Sequence, residues 1–141
     1  MIQMPLTQPF RVAFLSITAL LLFGSVAEAE IPWQRSPERV LNAARASGKP
    51  ILVFVTADWC HYCKKMKRET WADARVASAV SEHFETLVLD GDQDKQVVEP
   101  LKLKGFPATL LYSPSGEFIA QKGGYMPPQA TMAWLQSLRS R

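Results

Sequence analysis

Cysteine is nearly absent from this chain of 141 residues: there are two, Cys60 and Cys63. A framework of stapling disulfides is therefore excluded, because a bridge across two residues closes too short a loop to restrain the unfolded chain. Histidine is as scarce, with His61 and His83 alone. A structural zinc site would need both cysteines and both histidines, and His61 lies between the cysteines, where closing a tetrahedron with its own neighbours is awkward. Covalent haem attachment needs histidine directly after the second cysteine, and Lys64 stands there. The net charge of +3 is mild, and no basic run is long enough to argue for nucleic acid. Asp90-Gly91-Asp92-Gln93-Asp94 lacks the glycine and the glutamate that a calcium loop places at its sixth and twelfth positions; Lys95 and Leu101 occupy them. No internal repeat or low-complexity stretch is visible.

What is present divides the chain in two. Arg11 precedes an apolar stretch from Val12 to Val26, and Ala27-Glu28-Ala29 places small residues where a signal peptidase reads. The stretch is shorter than the roughly 20 residues of a spanning helix. Residues 1–29 are thus expected to be a cleaved secretory signal, cut between Ala29 and Glu30, with an uncleaved anchor as the alternative. No cysteine near the cut suggests a lipoprotein. Residues 30–141 are of single-domain length. Hydrophobic residues at 48% and charged residues at 21% give a globular rather than a disordered balance.

Within that domain, Ser36-Pro37-Glu38 reads as a helix start: a hydroxyl cap, proline in the first turn, then an acid. Gly48 and Pro50 end the helix. Ile51 to Thr56 is apolar and partly β-branched, a buried strand. After the cysteines, Lys64 to Thr70 favours helix, and Asp73 caps another that carries Val76, Ala77, Val80 and Phe84. Thr86 to Asp90 reads as a strand and Gln93 to Leu103 as a short helix. Thr109 to Tyr112 and Glu117 to Gln121 are strands joined by Ser113-Pro114-Ser115-Gly116, hence an antiparallel hairpin. Pro128 to Arg139 closes the chain as a helix, with Met132, Leu135 and Leu138 along one side. Trp33, Trp71 and Trp134 are expected against the core. The expected architecture is α/β: a central mixed sheet flanked by helices on both faces.

An exported protein that keeps one closely spaced cysteine pair uses it for reversible redox chemistry rather than stability. Copper(I) held by two soft thiolates is the competing use. Met66, Met126 and Met132 are scattered and lend it no support.

A strand running into Ala57-Asp58-Trp59-Cys60-His61-Tyr62-Cys63-Lys64, followed by Gly105-Phe106-Pro107-Ala108-Thr109 ahead of a hairpin, resembles the thioredoxin superfamily. The nearest resemblance is to the periplasmic C-terminal thioredoxin-like domain of DsbD-type thiol:disulfide interchange proteins. It implies that Cys60 is the exposed attacking thiol and Cys63 the buried resolving one. It also implies that Pro107 is a cis-proline, that Phe106 offers backbone groups to the substrate chain, and that Trp59, His61 and Tyr62 flank the bound partner. The implied activity is dithiol–disulfide exchange with protein substrates, with no cofactor or metal beyond the two cysteines. The implied protein is a periplasmic monomer, a reductant rather than an oxidant, fed by a membrane electron donor. A thioredoxin-like module that binds copper or docks a partner is the alternative. One position departs from the family: many thioredoxins carry a buried aspartate where Phe54 stands here. Proton transfer to Cys63 must then use water or another group.

Three further readings complete the site. Lys64, Lys65, Lys67 and Arg68 are expected to form a solvated helix face, with docking of an acidic partner as the functional reading. His61 is either a group that stabilises the neighbouring thiolate when protonated or an exposed loop histidine with little effect. Asp58 is read as a loop residue that caps the helix, with a local proton acceptor as the alternative.

Overall fold

The structure is a computed structural model and describes residues 29–139. The expected signal segment therefore lies outside the described residues, apart from Ala29. Among the described residues no helix is long and apolar enough to cross a membrane.

The chain runs α1 (Pro37–Ser47), β1 (Ile51–Thr56), α2 (His61–Met66), a π-helical turn (Lys67–Trp71), α3 (Ala74–His83), β2 (Glu85–Asp90), α4 (Lys95–Val98), a 3-10 turn (Glu99–Leu101), β3 (Ala108–Tyr112), β4 (Phe118–Gly123) and α5 (Pro128–Arg139). The caps follow the local chemistry. The Ser36 hydroxyl accepts from the Arg39 N–H at 3.3 Å, and Asp73 Oδ1 accepts from the N–H groups of Arg75 and Val76 at 3.0 and 3.2 Å. Gly48 takes the left-handed conformation, φ 73°, that ends α1.

The strands form one sheet in the order β2-β1-β3-β4. The β1–β2 pair is parallel, joined through α2 and α3, whereas β1–β3 and β3–β4 are antiparallel. The mixed sheet expected from sequence is thus present. β1 is central, and all six of its residues are buried. Its alternate side chains feed two cores. Leu52 and Phe54 pack with Met66, Trp71, Val76, Val80 and Leu135 under α3 and α5. Ile51, Val53 and Val55 pack with Val40, Leu87, Leu89, Val98 and Leu110 under α1 and α4.

Four local expectations are corrected. The helix expected over 93–103 is only α4 and a 3-10 turn, because Pro100 has no N–H to continue an α-helix and Lys102 turns left-handed at φ 50°. The helix after the cysteines begins earlier, at His61, and passes into a π turn that sequence pattern does not announce. Phe84 leaves α3 in an extended conformation, φ −132°, and is buried as the chain enters β2. β4 starts one residue late because the turn claims Glu117, whose carbonyl accepts from Ser113 N–H at 2.8 Å.

Candidate functional site

β1 delivers the chain to the site. Beyond Thr56 the backbone turns through Ala57-Asp58-Trp59, and the Cys60 N–H donates to the Ala57 carbonyl at 3.1 Å. Cys60 is the N-cap of α2, and its Sγ accepts from the Cys63 N–H at 3.1 Å. The cap expected of Asp58 therefore falls to the cysteine itself, because Cys60 occupies the extended position just before the first helical turn. The two cysteines form a disulfide with Cα atoms 5.2 Å apart.

The Phe106–Pro107 peptide is cis. Phe106 packs against a small cluster of Ala57, Cys60 and Cys63. Pro107 is buried, and its carbonyl accepts from the Gly124 N–H at 2.7 Å, which ties the proline loop to the end of β4. Trp59 and Tyr62 are 68% and 57% exposed, and His61, also exposed, meets the Tyr62 ring edge-on at 5.6 Å. The residues singled out around the pair thus gather at one end of the molecule.

One expectation changes. Cys60, expected to be open to solvent, is only 5% exposed, against 0% for Cys63. Packing by Phe106 and Ala57 accounts for the difference from a freely exposed sulfur.

Several neighbours had no sequence signal of their own. Asp92 Oδ2 accepts from the Trp59 indole N–H at 2.9 Å, across the disulfide end of the sheet. Trp59 in turn lies 6.0 Å from Phe106, centroid to centroid. Gly91 lets the Phe106 ring approach closely, since a Cβ at that position would overlap the ring unless it shifted. The acidic run that failed as a calcium loop serves instead to fold this segment. Asp90 Oδ1 accepts from the N–H groups of Asp92 and Gln93 at 2.9 and 3.0 Å, and Asp94 Oδ2 accepts from Asp90 N–H at 2.7 Å.

On the other flank, the Tyr125 hydroxyl donates to Glu69 Oε2 at 2.7 Å, and that carboxylate holds the phenol pKa above its ordinary value. Lys65 Nζ sits 4.6 Å above the Tyr125 ring, so one member of the basic cluster is spent on a cation–π contact. Lys64, Lys67 and Arg68 are exposed. Among the described residues, no three side chains of His, Cys, Asp and Glu gather to hold a metal ion.

The arrangement has a clear chemical capacity. Sulfur at a helix N-cap faces unpaired amides and the positive end of the helix dipole, which favour a thiolate once the pair is reduced. The Cys63 N–H is already directed at Cys60 Sγ. Where the usual carboxylate of the family would lie, Phe54 packs against Trp71 at 5.5 Å and Trp33 at 5.8 Å, so aromatic rings take its place.

A family model described as a thioredoxin-like domain matches residues 37–139. Among curated proteins, the thiol:disulfide interchange protein DsbD of Ralstonia nicotianae is 34% identical over 82 residues, which is 56% of this chain and 14% of that protein. The chain therefore spans only a small part of that relative's length. Among solved structures, the DsbH oxidoreductase superposes with a TM-score of 0.69 at 21% identity, covering 84% of this chain and 91% of that one. A thioredoxin from Thermus thermophilus superposes with a TM-score of 0.62 at 20% identity, covering 79% and 86%. At these identities the structural likeness concerns the fold.

Proposed function

Because the chain belongs to the thioredoxin-like family, we propose that it is an exported thiol–disulfide oxidoreductase that exchanges electrons with protein substrates through Cys60 and Cys63. The observation that carries the reading is the disulfide at the N-cap of α2, with Phe106 of the cis Phe106–Pro107 pair packed against the cluster that holds it.

In the reducing direction, the Cys60 thiolate attacks one sulfur of a substrate disulfide. A mixed disulfide forms, and the first substrate sulfur leaves as a thiolate that takes a proton. Cys63 then loses its proton and displaces the second substrate sulfur, closing the Cys60–Cys63 disulfide. Two electrons pass to the substrate; the Cys63 proton and one from water protonate its two thiolates. Trp59, His61, Tyr62, Phe106 and Pro107 border the substrate segment in this reading. Similarity to a DsbD protein, named for thiol:disulfide interchange, favours the reductant direction. Continued turnover then needs an electron donor, and a membrane protein of the envelope fits an exported chain. Export itself rests on the Arg11, Val12–Val26 and Ala27–Ala29 layout. The protein is proposed to act in the periplasm as a monomer.

The decisive variants are Cys60→Ser and Cys63→Ser. The first should reduce disulfide-exchange activity to background, and the second should accumulate mixed disulfides visible by non-reducing electrophoresis. Retained exchange in Cys60→Ser, or a stoichiometric copper(I) complex formed in preference to exchange, would favour the binding-module alternative. The potential of the pair should lie nearer roughly −270 mV than roughly −120 mV for a reductant. Sequencing the N-terminus of protein recovered from the cell envelope should begin at Glu30.

A further inference from the structure

Three buried polar atoms have no hydrogen-bond partner among the described residues: Thr56 Oγ1, Thr109 Oγ1 and Trp71 Nε1. Thr56 and Thr109 are 4% and 0% exposed. A buried hydroxyl without a partner forfeits its hydration and gains nothing in return, so two of them close to a reactive centre call for a reason.

Both lie on the side of the sheet that carries Cys63. Thr56 alternates with Leu52 and Phe54 along β1, so its side chain shares their face. Thr109 stands opposite Phe54 in the antiparallel β1–β3 register, and residues so paired share a face as well. Leu52 and Phe54 belong to the core that includes Met66. Cys63 precedes Met66 by three positions in α2, both are wholly buried, and residues at that spacing line one stripe of a helix. The resolving cysteine therefore belongs to the stripe above this face, at the end where Thr56 leaves β1 for the Cys60 turn and Thr109 follows cis-Pro107. The two threonines are diagonal neighbours, since Val55 pairs with Ala108. Such neighbours lie about 7–8 Å apart, less between their side chains, a gap that one water molecule can bridge.

The site has a use for such a water, because Phe54 stands where the family carries a carboxylate and cannot take a proton. Other ionisable groups around Cys63 are few. From β2, Asp90 stands level with Thr56, and its Oδ1 is engaged by the N–H groups of Asp92 and Gln93. On α2, His61 and Lys64 are exposed and Lys65 lies over Tyr125. The buried residues of α3 and α5 are Val76, Ala77, Val80, Thr131 and Leu135, none of them ionisable.

We infer that Thr56 and Thr109 are positioning residues for the resolving step, holding between them a water molecule that accepts the Cys63 proton. The inference rests on the exchange reading. A buried water makes about three hydrogen bonds, and the two hydroxyls and the Cys63 thiol supply them. In the mixed disulfide the water takes the thiol proton, and the threonine oxygens share the charge it gains. The Cys63 sulfur bonds to Cys60 Sγ, and the substrate sulfur leaves with the electron pair of the broken bond. The protonated water then gives its proton to that thiolate.

The test separates the two chemical steps. A short peptide with one cysteine, in a mixed disulfide with a chromophoric thiol, is added to the chain with its pair reduced. Attack by Cys60 on the peptide sulfur releases the chromophore, and resolution by Cys63 frees the peptide thiol, which acid quenching and mass spectrometry follow. The double variant Thr56→Val, Thr109→Val should resolve about tenfold more slowly near neutral pH, with the attack rate unchanged. The pH at which resolution reaches half its plateau should rise by about one unit for that tenfold loss. Thr56→Ser, Thr109→Ser keeps both hydroxyls and should resolve within about twofold of wild type. Because the hydroxyls have no protein partner, the oxidised valine variant should unfold in urea no more easily than wild type. Easier unfolding would give them a structural role and overturn the inference. So would equal slowing of both steps, or a midpoint that moves in Asp90→Asn instead, which would make that carboxylate the acceptor. An unchanged resolution rate would overturn it while leaving exchange intact. A reduced wild-type chain that does not react with the peptide sinks the exchange reading, and the inference with it.

Discussion

On one side of the sheet, Trp33, Phe54 and Trp71 interlock with ring centroids 5.4–5.8 Å apart, beneath α3 and α5. On the other side the core is aliphatic, and an open groove of about 180 Å³ runs along Val40, Val53, Leu87, Leu89 and their neighbours. The helices differ in the same sense. Asp73 caps α3 with two backbone N–H bonds, whereas α4 is one short turn without a side-chain cap. The tight face includes Met66 and Trp71, from the continuous helical segment that starts at Cys60. The aromatic packing thus lies on the face that carries Met66 and Trp71. The looser face continues into the uncovered ends of β3 and β4, where a groove beside Phe106 lies.

Replacing the ring at the centre of the tight face should produce the largest stability loss. Trp71→Ala should cost about 3–5 kcal/mol in urea unfolding, as for other buried aromatics. A loss no greater than about 1 kcal/mol would mean that the aromatic trio is not what stiffens this side. A matched pair of enlargements then separates the faces directly. Val76→Ile on the tight face should be destabilising by about 1–3 kcal/mol, because an added methylene has no room. Val53→Ile, beside the groove, should be neutral or stabilising by up to about 1 kcal/mol. Equal effects would erase the contrast in packing.

The smallest effect concerns the caps. Asp73→Ala should cost about 1 kcal/mol near neutral pH. The bond from Val76 N–H, helped by Arg75, lowers the Asp73 pKa below its ordinary value of 3.8. A depressed carboxylate contributes its stability above the ordinary value and loses it as the pH falls through the folded-state pKa. The difference between wild type and Asp73→Ala should therefore vanish in acid below pH 3.8. A difference that persists there would assign the cap to geometry rather than charge.

Much of this was legible in the sequence because it is local. Ser36, Pro37 and Gly48 mark α1, Asp73 marks α3, and Ser113 to Gly116 mark the hairpin through backbone chemistry confined to a few residues. Cys60 and Cys63 stand out by their isolation, and the Gly105–Phe106–Pro107 stretch by its resemblance to a family. What escaped is tertiary. Nothing near Trp59 announces Asp92, and nothing near Glu69 announces Tyr125, because each pair meets only when the sheet is assembled. The near-complete burial of Cys60 has the same origin, since Phe106 arrives from a distant loop. The π turn of residues 67–71, which carries the buried Trp71, has no signal in local propensity. Pro100 is a different case: its missing N–H was visible all along and argued against a long helix over 93–103.

Gly91 gives the site a mechanical handle. Its N–H is bonded to the Thr56 carbonyl at 2.8 Å, so the backbone there cannot retreat without loosening the parting of β1 and β2. The Phe106 ring has to yield instead. A single methyl group added at position 91 would displace the ring that packs against the cysteine cluster, from a residue that takes no part in electron transfer.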